Sequence, residues 1–251
     1  MSVFVIAEAA CTWRVGDQLA TAERSIKAAK ACGADAWKTQ WTSDPTEMAR
    51  RRNVTTDYSR LAWPAEWLPM LKAMCDAAGI EFMVTVYIVK DIAKVAPLVT
   101  RFKISAYESQ DPAFIVEHMK SAQLGGPWRN HQVIVSVNPE KLVPMHLDAS
   151  PFVKTLHCIS LHPTETEHLC LQDMILNRAG LSDHTLSTIS GAVAVGGGAE
   201  IIEKHFCLED TPGDDPDYPH SLREHKGCQD EDLHDCFKAY VDNIREAERM
   251  L

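Results

Sequence analysis

Residues 80–105 read IEFMVTVYIVKDIAKVAPLVTRFKIS, and this stretch decides the architecture. IEFMVTV (80–86) and RFKIS (101–105) are short runs rich in β-branched and aromatic residues, the composition of strands. Between them, residues 88–98 space their apolar side chains at helical intervals. The stretch is therefore a strand, a helix and a second strand. Working outward, the same unit recurs in both directions. Upstream lie strand 3–8 (VFVIAE), helix 17–31, strand 35–40 (DAWKTQ) and helix 65–78. Downstream come helix 111–122, strand 132–137 (QVIVSV), a short helix near 139–146, strand 153–160 (VKTLHCIS) and helix 168–178. A very short strand near 180–183, helix 186–196, strand 199–206 (AEIIEKHF) and a final helix 230–250 complete the series. Eight strands alternating with eight helices predict an α/β chain closed into a (β/α)8 TIM barrel, because an open doubly wound sheet seldom uses so many strands. The fifth and seventh units carry the weakest patterns.

No Pro/Gly/Ser-rich linker or charge block divides the 251 residues, so a single barrel domain over 1–251 is expected. With 45% hydrophobic and 24% charged residues, the composition is that of a folded globular chain, and no apolar run is long enough to span a bilayer. MSVFVIAEAA lacks a basic leader and places Glu8 inside its apolar run, which predicts a first strand and a cytoplasmic location. A net charge of -10 disfavours nucleic-acid binding, which relies on basic surface to displace counterions. The eight cysteines include no CxxC pair and mostly sit in apolar patterns, predicting reduced core thiols. Gly33 and Gly79 each close a helix before a strand, as left-handed caps do. Gly196-Gly197-Gly198 also lies between a helix and a strand, the reverse of a phosphate loop, and is read as a turn.

Side-chain parity locates the chemistry. Strand side chains alternate between the barrel interior and the helix layer, so residues two apart share a face. On one parity fall Ile6 and Glu8, Lys38 and Gln40, Met83 and Thr85, and Lys103 and Ser105. Continuing round are Ile134 and Ser136, Cys158, Ser160 and His162, Ser182 and His184, and Glu203 and His205. The other parity is apolar where helices must pack: Trp37, Phe102, Ile104, Val135, Ile159 and Ile202. Polar groups at the C-terminal strand ends converge on the mouth where barrels of this class build their sites. A buried strand lysine costs several kcal/mol unless an anion or carboxylate compensates it. Lys38 and Lys103 are accordingly candidate anion ligands, with Glu8 and Glu203 as alternative partners. His184 and His205 end neighbouring strands and form a candidate pair for a divalent metal. His157 and Lys204 face outward and are read as structural. Two lysines, several hydroxyls and a metal suit an anionic substrate, with Glu8 or Glu108 available to move protons.

The order of motifs is more specific than any of them alone: VIAEAA (5–10), KTQ (38–40), FKISAYES (102–109), VIVSVNP (133–139), TLHCISLHPT (155–164), LSDHTL (181–186), IIEKHF (201–206) and PDYPHSL (216–222). This order resembles the catalytic barrel of the sialic acid synthases over nearly the whole chain. The resemblance implies a transferase of carbohydrate biosynthesis that condenses phosphoenolpyruvate with an aldehyde sugar, releasing phosphate by C–O cleavage. It also implies a divalent metal, Mn2+ first, with Mg2+ or Co2+ as alternatives, polarising the aldehyde. By the same resemblance, Lys38 and Lys103 hold phosphoenolpyruvate, with hydrogen bonds from Thr85, Ser136, Ser160 and Ser182. His184 and His205 bind the metal. Glu8, Gln40 and Asp217 address sugar hydroxyls, and Glu108 lies near the reacting carbons. Glu203 and His162 join the substrate-binding set.

Several positions depart from the family pattern. Thr12-Trp13-Arg14-Val15-Gly16 replaces an NHNG loop, and Ala106-Tyr107 replaces a Ser-Gly pair, which implies that a phosphate contact is either moved to Ser105 or lost. His162 stands where a tyrosine is usual, and Tyr218 where a histidine is usual. The family's C-terminal antifreeze-like domain, which brings an arginine to a partner's sugar site, has no counterpart after the eighth helix. Either Arg14, Arg223 or another local group substitutes, a separate chain supplies the arginine, or the acceptor is not a hexosamine, and self-association is expected by family analogy. The competing expectations are another metal-dependent barrel lyase or hydrolase, and a catalytically inactive barrel acting as a binding subunit.

Overall fold

The computed structural model describes residues 2–123, 131–140, 150, 152–177, 179–224 and 236–251. Strands β1 (Phe4–Ala10), β2 (Ala36–Gln40), β3 (Glu81–Thr85), β4 (Arg101–Ile104), β5 (Gln132–Val137), β6 (Val153–Cys158), β7 (Gly180–Asp183) and β8 (Ile201–Cys207) pair in sequence order, all parallel. β1 also pairs with β8, in register from Phe4 opposite Ile201 to Glu8 opposite His205, and this closes the barrel. The fold is the (β/α)8 TIM barrel that the alternation predicts. A two-residue strand β9 (Leu222–Arg223) extends the end of β8.

The helices are α1 (Gln18–Ala31), α2 (Pro45–Arg52), α3 (Trp67–Ala78), α4 (Val89–Val95), α5 (Pro112–Gln123), α6 (Leu171–Leu176), α7 (Ser190–Gly196) and α8 (Phe237–Met250). The helix expected near 139–146 lies largely outside the described residues, as do the first residues of the span 230–250. Among the described residues, no helix is long and apolar enough to cross a membrane. The sequence reading missed α2. Its punctuation is explicit: the Asp44 side chain accepts the Glu47 N–H at 2.9 Å, Pro45 occupies the first turn, and Asn53 ends the helix in the left-handed region. Only Met48 of this helix is buried, so no apolar stripe announces it.

Two apolar layers follow the predicted parity. Inside the barrel, Ile6, Ala36, Met83, Ile134, Leu156 and Ile201 fill the lower interior. Outside it, Trp37, Phe102, Ile104, Val135 and Ile202 pack in the larger core beneath the helices. Burying one such side chain contributes about 1.5–3 kcal/mol, so the parity is held by the sum of many contacts. β7 shows why its signal is weak. It opens on Gly180, where any Cβ would collide with the carbonyl oxygen of Ile201, so the strand must begin with the poorest strand former. Gly33 and Gly79 have positive φ values of 91° and 68°, as their cap role requires, and the glycine run ends in a left-handed Gly198 between α7 and β8.

The cysteine expectation needs correction at two positions. Cys170 is exposed, and Cys236 is disulfide-bonded. The absence of CxxC excludes only the tightest spacing, so it could not exclude that bond. Cys11, Cys32, Cys75, Cys158 and Cys207 are buried free thiols.

Candidate functional site

The strand register brings the polar ends together. Glu8 lies opposite Lys38 on one side and His205 on the other, Thr85 opposite Gln40 and Lys103, and Ser182 opposite Cys158 and Glu203. They line a cavity of about 310 Å³ at the C-terminal mouth. Its wall includes Glu8, Lys38, Gln40, Thr85, Lys103, Ser105, Ser136, Ser160, His162, Ser182, His184, Glu203 and His205. Every expected site residue except Glu108 and Asp217 therefore lines this one cavity.

A charge network occupies the floor. Lys38 pairs closely with Glu8, lies 3.6 Å from Glu203, and donates to Thr85 Oγ1 at 2.9 Å. Lys103 lies 3.3 Å from Glu203 and donates to Ser136 Oγ at 2.8 Å, while Ser182 donates to Glu203 at 3.0 Å. Both readings of Glu8 and Glu203 thus meet here, since they compensate the lysines within the same cavity. Burial pulls Lys38 down to about 8, against the opposing pull of Glu203. Burial raises Glu203, but Lys103, Lys38 and Ser182 outweigh it and hold the carboxyl at about 2. A β-bulge follows Glu8, and Ala10 beyond it takes the left-handed φ of 45°. Glu8 accepts the Ala10 N–H at 2.6 Å, which satisfies the backbone group that the bulge removes from the ladder.

The opposite wall is imidazole. His162, His184 and His205 each present a ring nitrogen within 4.8 Å of the others. His184 shares a hydrogen at Nδ1 with the Ile159 carbonyl at 2.8 Å, which leaves Nε2 as the ring's free lone pair. His205 Nδ1 is buried with no hydrogen-bond partner. Burial lowers His184 to about 4 and His205 well below its ordinary range, with neighbouring imidazoles adding to the latter. Partial burial, then His184 and His220, lower His162 as well. Neutral, anchored and orphaned ring nitrogens are the donor set that a divalent ion fits. His205 also belongs to a second group with Asp217 and His220.

Glu108 and Asp217 stand off the cavity wall. The turn at Glu108–Gln110 directs Glu108 at α2, where Arg52 holds it through two hydrogen bonds of 2.7 Å. Asp217 lies 3.5 Å from His220 Nε2. Neither Arg14 nor Arg223 lines the cavity. Arg52 does, its guanidinium set among the rings of Tyr58, Tyr87 and Tyr107. Arg52, Tyr87 and His220 are the residues that sequence reasoning missed. The Asp44-Pro45-Thr46-Glu47 cap signature would have found the helix that carries Arg52. His220 stood inside the quoted PDYPHSL motif. His157 and Lys204 do face outward. His157 Nε2 meets the Leu169 carbonyl at 2.8 Å, and Lys204 pairs with Asp183 at 3.0 Å.

A closed parallel barrel with ammonium, carboxylate, hydroxyl and imidazole groups gathered at the C-terminal mouth defines an α/β barrel with a polar, concave site of small-molecule dimensions. Residues 25–251 match the NeuB family, and the chain belongs to that family. It is 30% identical over 280 residues to an N,N'-diacetyllegionaminic acid synthase of Legionella pneumophila, covering 100% of this chain and 74% of the relative. It is 28% identical over 284 residues to a pseudaminic acid synthase of Campylobacter jejuni, covering 99% and 75%. The chain spans 66% to 75% of the length of the curated relatives it matches. The crystal structure of an N-acetylneuraminic acid synthetase from Leptospira borgpetersenii in complex with citrate superposes with a TM-score of 0.78 at 21% identity, covering 100% of this chain and 85% of that one, and this likeness shows the fold.

Proposed function

We propose that the barrel is the catalytic domain, over 1–251, of a synthase that joins phosphoenolpyruvate to an aldehyde sugar and releases phosphate. The observation that carries this reading is the convergence of Lys38, Lys103, five serine and threonine hydroxyls and three imidazoles on one cavity. The names of the Legionella and Campylobacter relatives support an acceptor that leads to a nine-carbon acidic sugar. The reading carries a cytoplasmic location with it, since phosphoenolpyruvate is a cytoplasmic metabolite.

The two lysines and two glutamates on the floor sum to no net charge. His184 and His205 would hold a divalent ion, which would make the cavity cationic and would supply Lewis-acid polarisation of a carbonyl. The ammonium charges of Lys38 and Lys103 address the phosphate and carboxylate of the enol substrate, joined by Thr85, Ser136, Ser160 and Ser182. Gln40 and Ser105 address the acceptor and the phosphate rim. C3 of the enol attacks the aldehyde carbon, forming the new C–C bond. Water then adds at C2, the C2–O bond breaks, and phosphate leaves with the bridging oxygen. The water gives up both of its protons: one ends on the aldehyde oxygen, and the other leaves the C2 hydroxyl for the departing phosphate as C2 becomes a carbonyl. Glu8, on the cavity wall beside Lys38, is the carboxylate assigned to the proton transfer.

The test supplies phosphoenolpyruvate labelled in its bridging oxygen, a series of N-acetylated aldehyde sugars and a divalent metal. Phosphate should appear only when both substrates are present, and it should carry the label. Phosphate released without an acceptor, or label kept in the organic acid, rejects the reading.

A further inference from the structure

We propose that the cavity binds its divalent ion through three imidazoles, His162, His184 and His205, and so prefers a borderline transition ion such as Zn2+ or Co2+ to Mn2+ or Mg2+. The inference deepens the metal-assisted reading of this site and is independent of which aldehyde is the acceptor.

Three observations support it. The ring nitrogens of the three residues already lie within 4.8 Å of one another. Ligands about 2.1 Å from a tetrahedral ion stand roughly 3.4 Å apart, so small ring rotations close the set. The rings are also packed against each other, with His162 and His184 centroids 3.9 Å apart and His184 and His205 centroids 5.3 Å apart. Second, two of the three donors are prepared, and His162 reaches them from the exposed rim. His184 is oriented by the Ile159 carbonyl, the device that fixes the tautomer of ligating histidines, and His205 keeps a buried ring nitrogen with no partner. Third, the carboxylates of the cavity lie against its lysines, with one Glu203 oxygen left without a hydrogen bond. Glu8 lies on Lys38, and Glu203 lies between Lys38 and Lys103. The ion therefore meets nitrogen first, with water or substrate completing its shell. Neutral imidazole suits zinc, cobalt and iron, whereas carboxylate and water suit magnesium and manganese.

The rival set is His205, Asp217 and His220, which shares one ring and adds a carboxylate. Neither Asp217 nor His220 lines the cavity, whereas all three residues of the first set line it together with the two lysines.

The experiment uses the metal-free full chain. Equilibrium dialysis against Zn2+, Co2+, Mn2+ and Mg2+ should return one ion per chain, with Zn2+ and Co2+ held at least about 100-fold more tightly than Mn2+. Co2+ should give the intense visible bands of a four- or five-coordinate nitrogen site. His162→Tyr keeps ring bulk and removes the donor. It should weaken Co2+ by about 10- to 100-fold and pale the bands, with Mn2+ changed far less. His162→Gln, compared at matched thermal stability, separates donor loss from misfolding. Unchanged Co2+ affinity and spectrum in both variants, or loss of the ion in His220→Phe with retention in His162→Tyr, overturns the proposal. Phosphoenolpyruvate binding measured by calorimetry on Lys38→Met and Lys103→Met reports on the synthase reading separately. A two-imidazole site with intact anion binding would sink the inference and leave that reading standing.

Discussion

β8 carries charge to both sides of the barrel wall, and the two sides behave differently. On the outer side, Lys204 pairs with Asp183 at 3.0 Å, bonds the Thr185 carbonyl, and lies 4.8 Å from the Tyr240 ring centre. Asp183 in turn accepts from Ser190, Thr185 and Tyr240. Both side chains are fully buried, and every polar atom has a partner. On the inner side, one residue away in each direction, Glu203 keeps an oxygen and His205 a nitrogen without hydrogen bonds. Buried charge alone therefore does not mark a site. The mark is buried charge with hydrogen-bonding capacity left over, facing a cavity.

The largest effect expected from this difference is on stability. Lys204→Met strands Asp183 in a sealed interior and should cost about 3–5 kcal/mol in chemical denaturation, because breaking one half of a buried pair leaves an uncompensated charge. The double variant Lys204→Met/Asp183→Leu should recover much of that loss. A single-variant loss under about 1 kcal/mol would show that the outer cluster is not sealed after all.

Lys103→Met should invert the pattern. Glu203 keeps Lys38 and gains water through the mouth, so the stability loss should stay well below that of Lys204→Met. Anion affinity and kcat/KM for phosphoenolpyruvate should fall about 100-fold, near 2.7 kcal/mol, through loss of a charge-assisted contact. A variant that unfolds while the anion still binds would exchange the roles of the two clusters.

Lys38 offers a test with two signs. Its folded pKa lies at about 8, below the ordinary 10.5. Between these values the unfolded chain holds a proton that the folded chain has released, so the Lys38 contribution to stability rises with pH across that window. Anion binding should fall over the same window as the ammonium is lost. Melting temperature and phosphoenolpyruvate affinity, followed from pH 7 to 10.5 in wild type and Lys38→Met, should diverge only in the wild type. Parallel curves would remove Lys38 from the anion site.

Much of this contrast was legible before the structure. Parity alone placed Lys204 outside and Glu203 and His205 inside, because a strand's period of two is rigid and each face has one environment. The same rule found Lys38, Lys103 and the hydroxyl ring. It does not extend past the strand ends, which is where reading weakened. Glu108 sits in a turn whose direction no periodicity reports, and it points to Arg52 on α2. α2 itself has one buried residue, so only its caps announced it. His220 lies in a loop turn after β8 and reaches His205 through tertiary folding, with ring centres 4.5 Å apart. Loops bring chemistry together without a repeating signal.

The smallest expected effect separates the clusters at the level of one hydroxyl. Ser190 donates to Asp183 on the sealed side, and Ser182 donates to Glu203 at 3.0 Å on the open side. Both acceptors are carboxylates, both donors are buried serines, and both substitutions to alanine remove one atom. Where water cannot enter, the lost bond to a charged acceptor costs about 1.5–3 kcal/mol. Where the cavity admits water, a solvent molecule takes the vacated position and the loss should stay under about 1 kcal/mol. Ser190→Ala should therefore lower the denaturation midpoint more than Ser182→Ala, whereas only Ser182→Ala should weaken the anion. Equal midpoint losses would mean that water does not reach Glu203. The unsatisfied oxygen there would then be a packing defect, and the distinction between a sealed and an open side of β8 would no longer separate structural charge from binding charge.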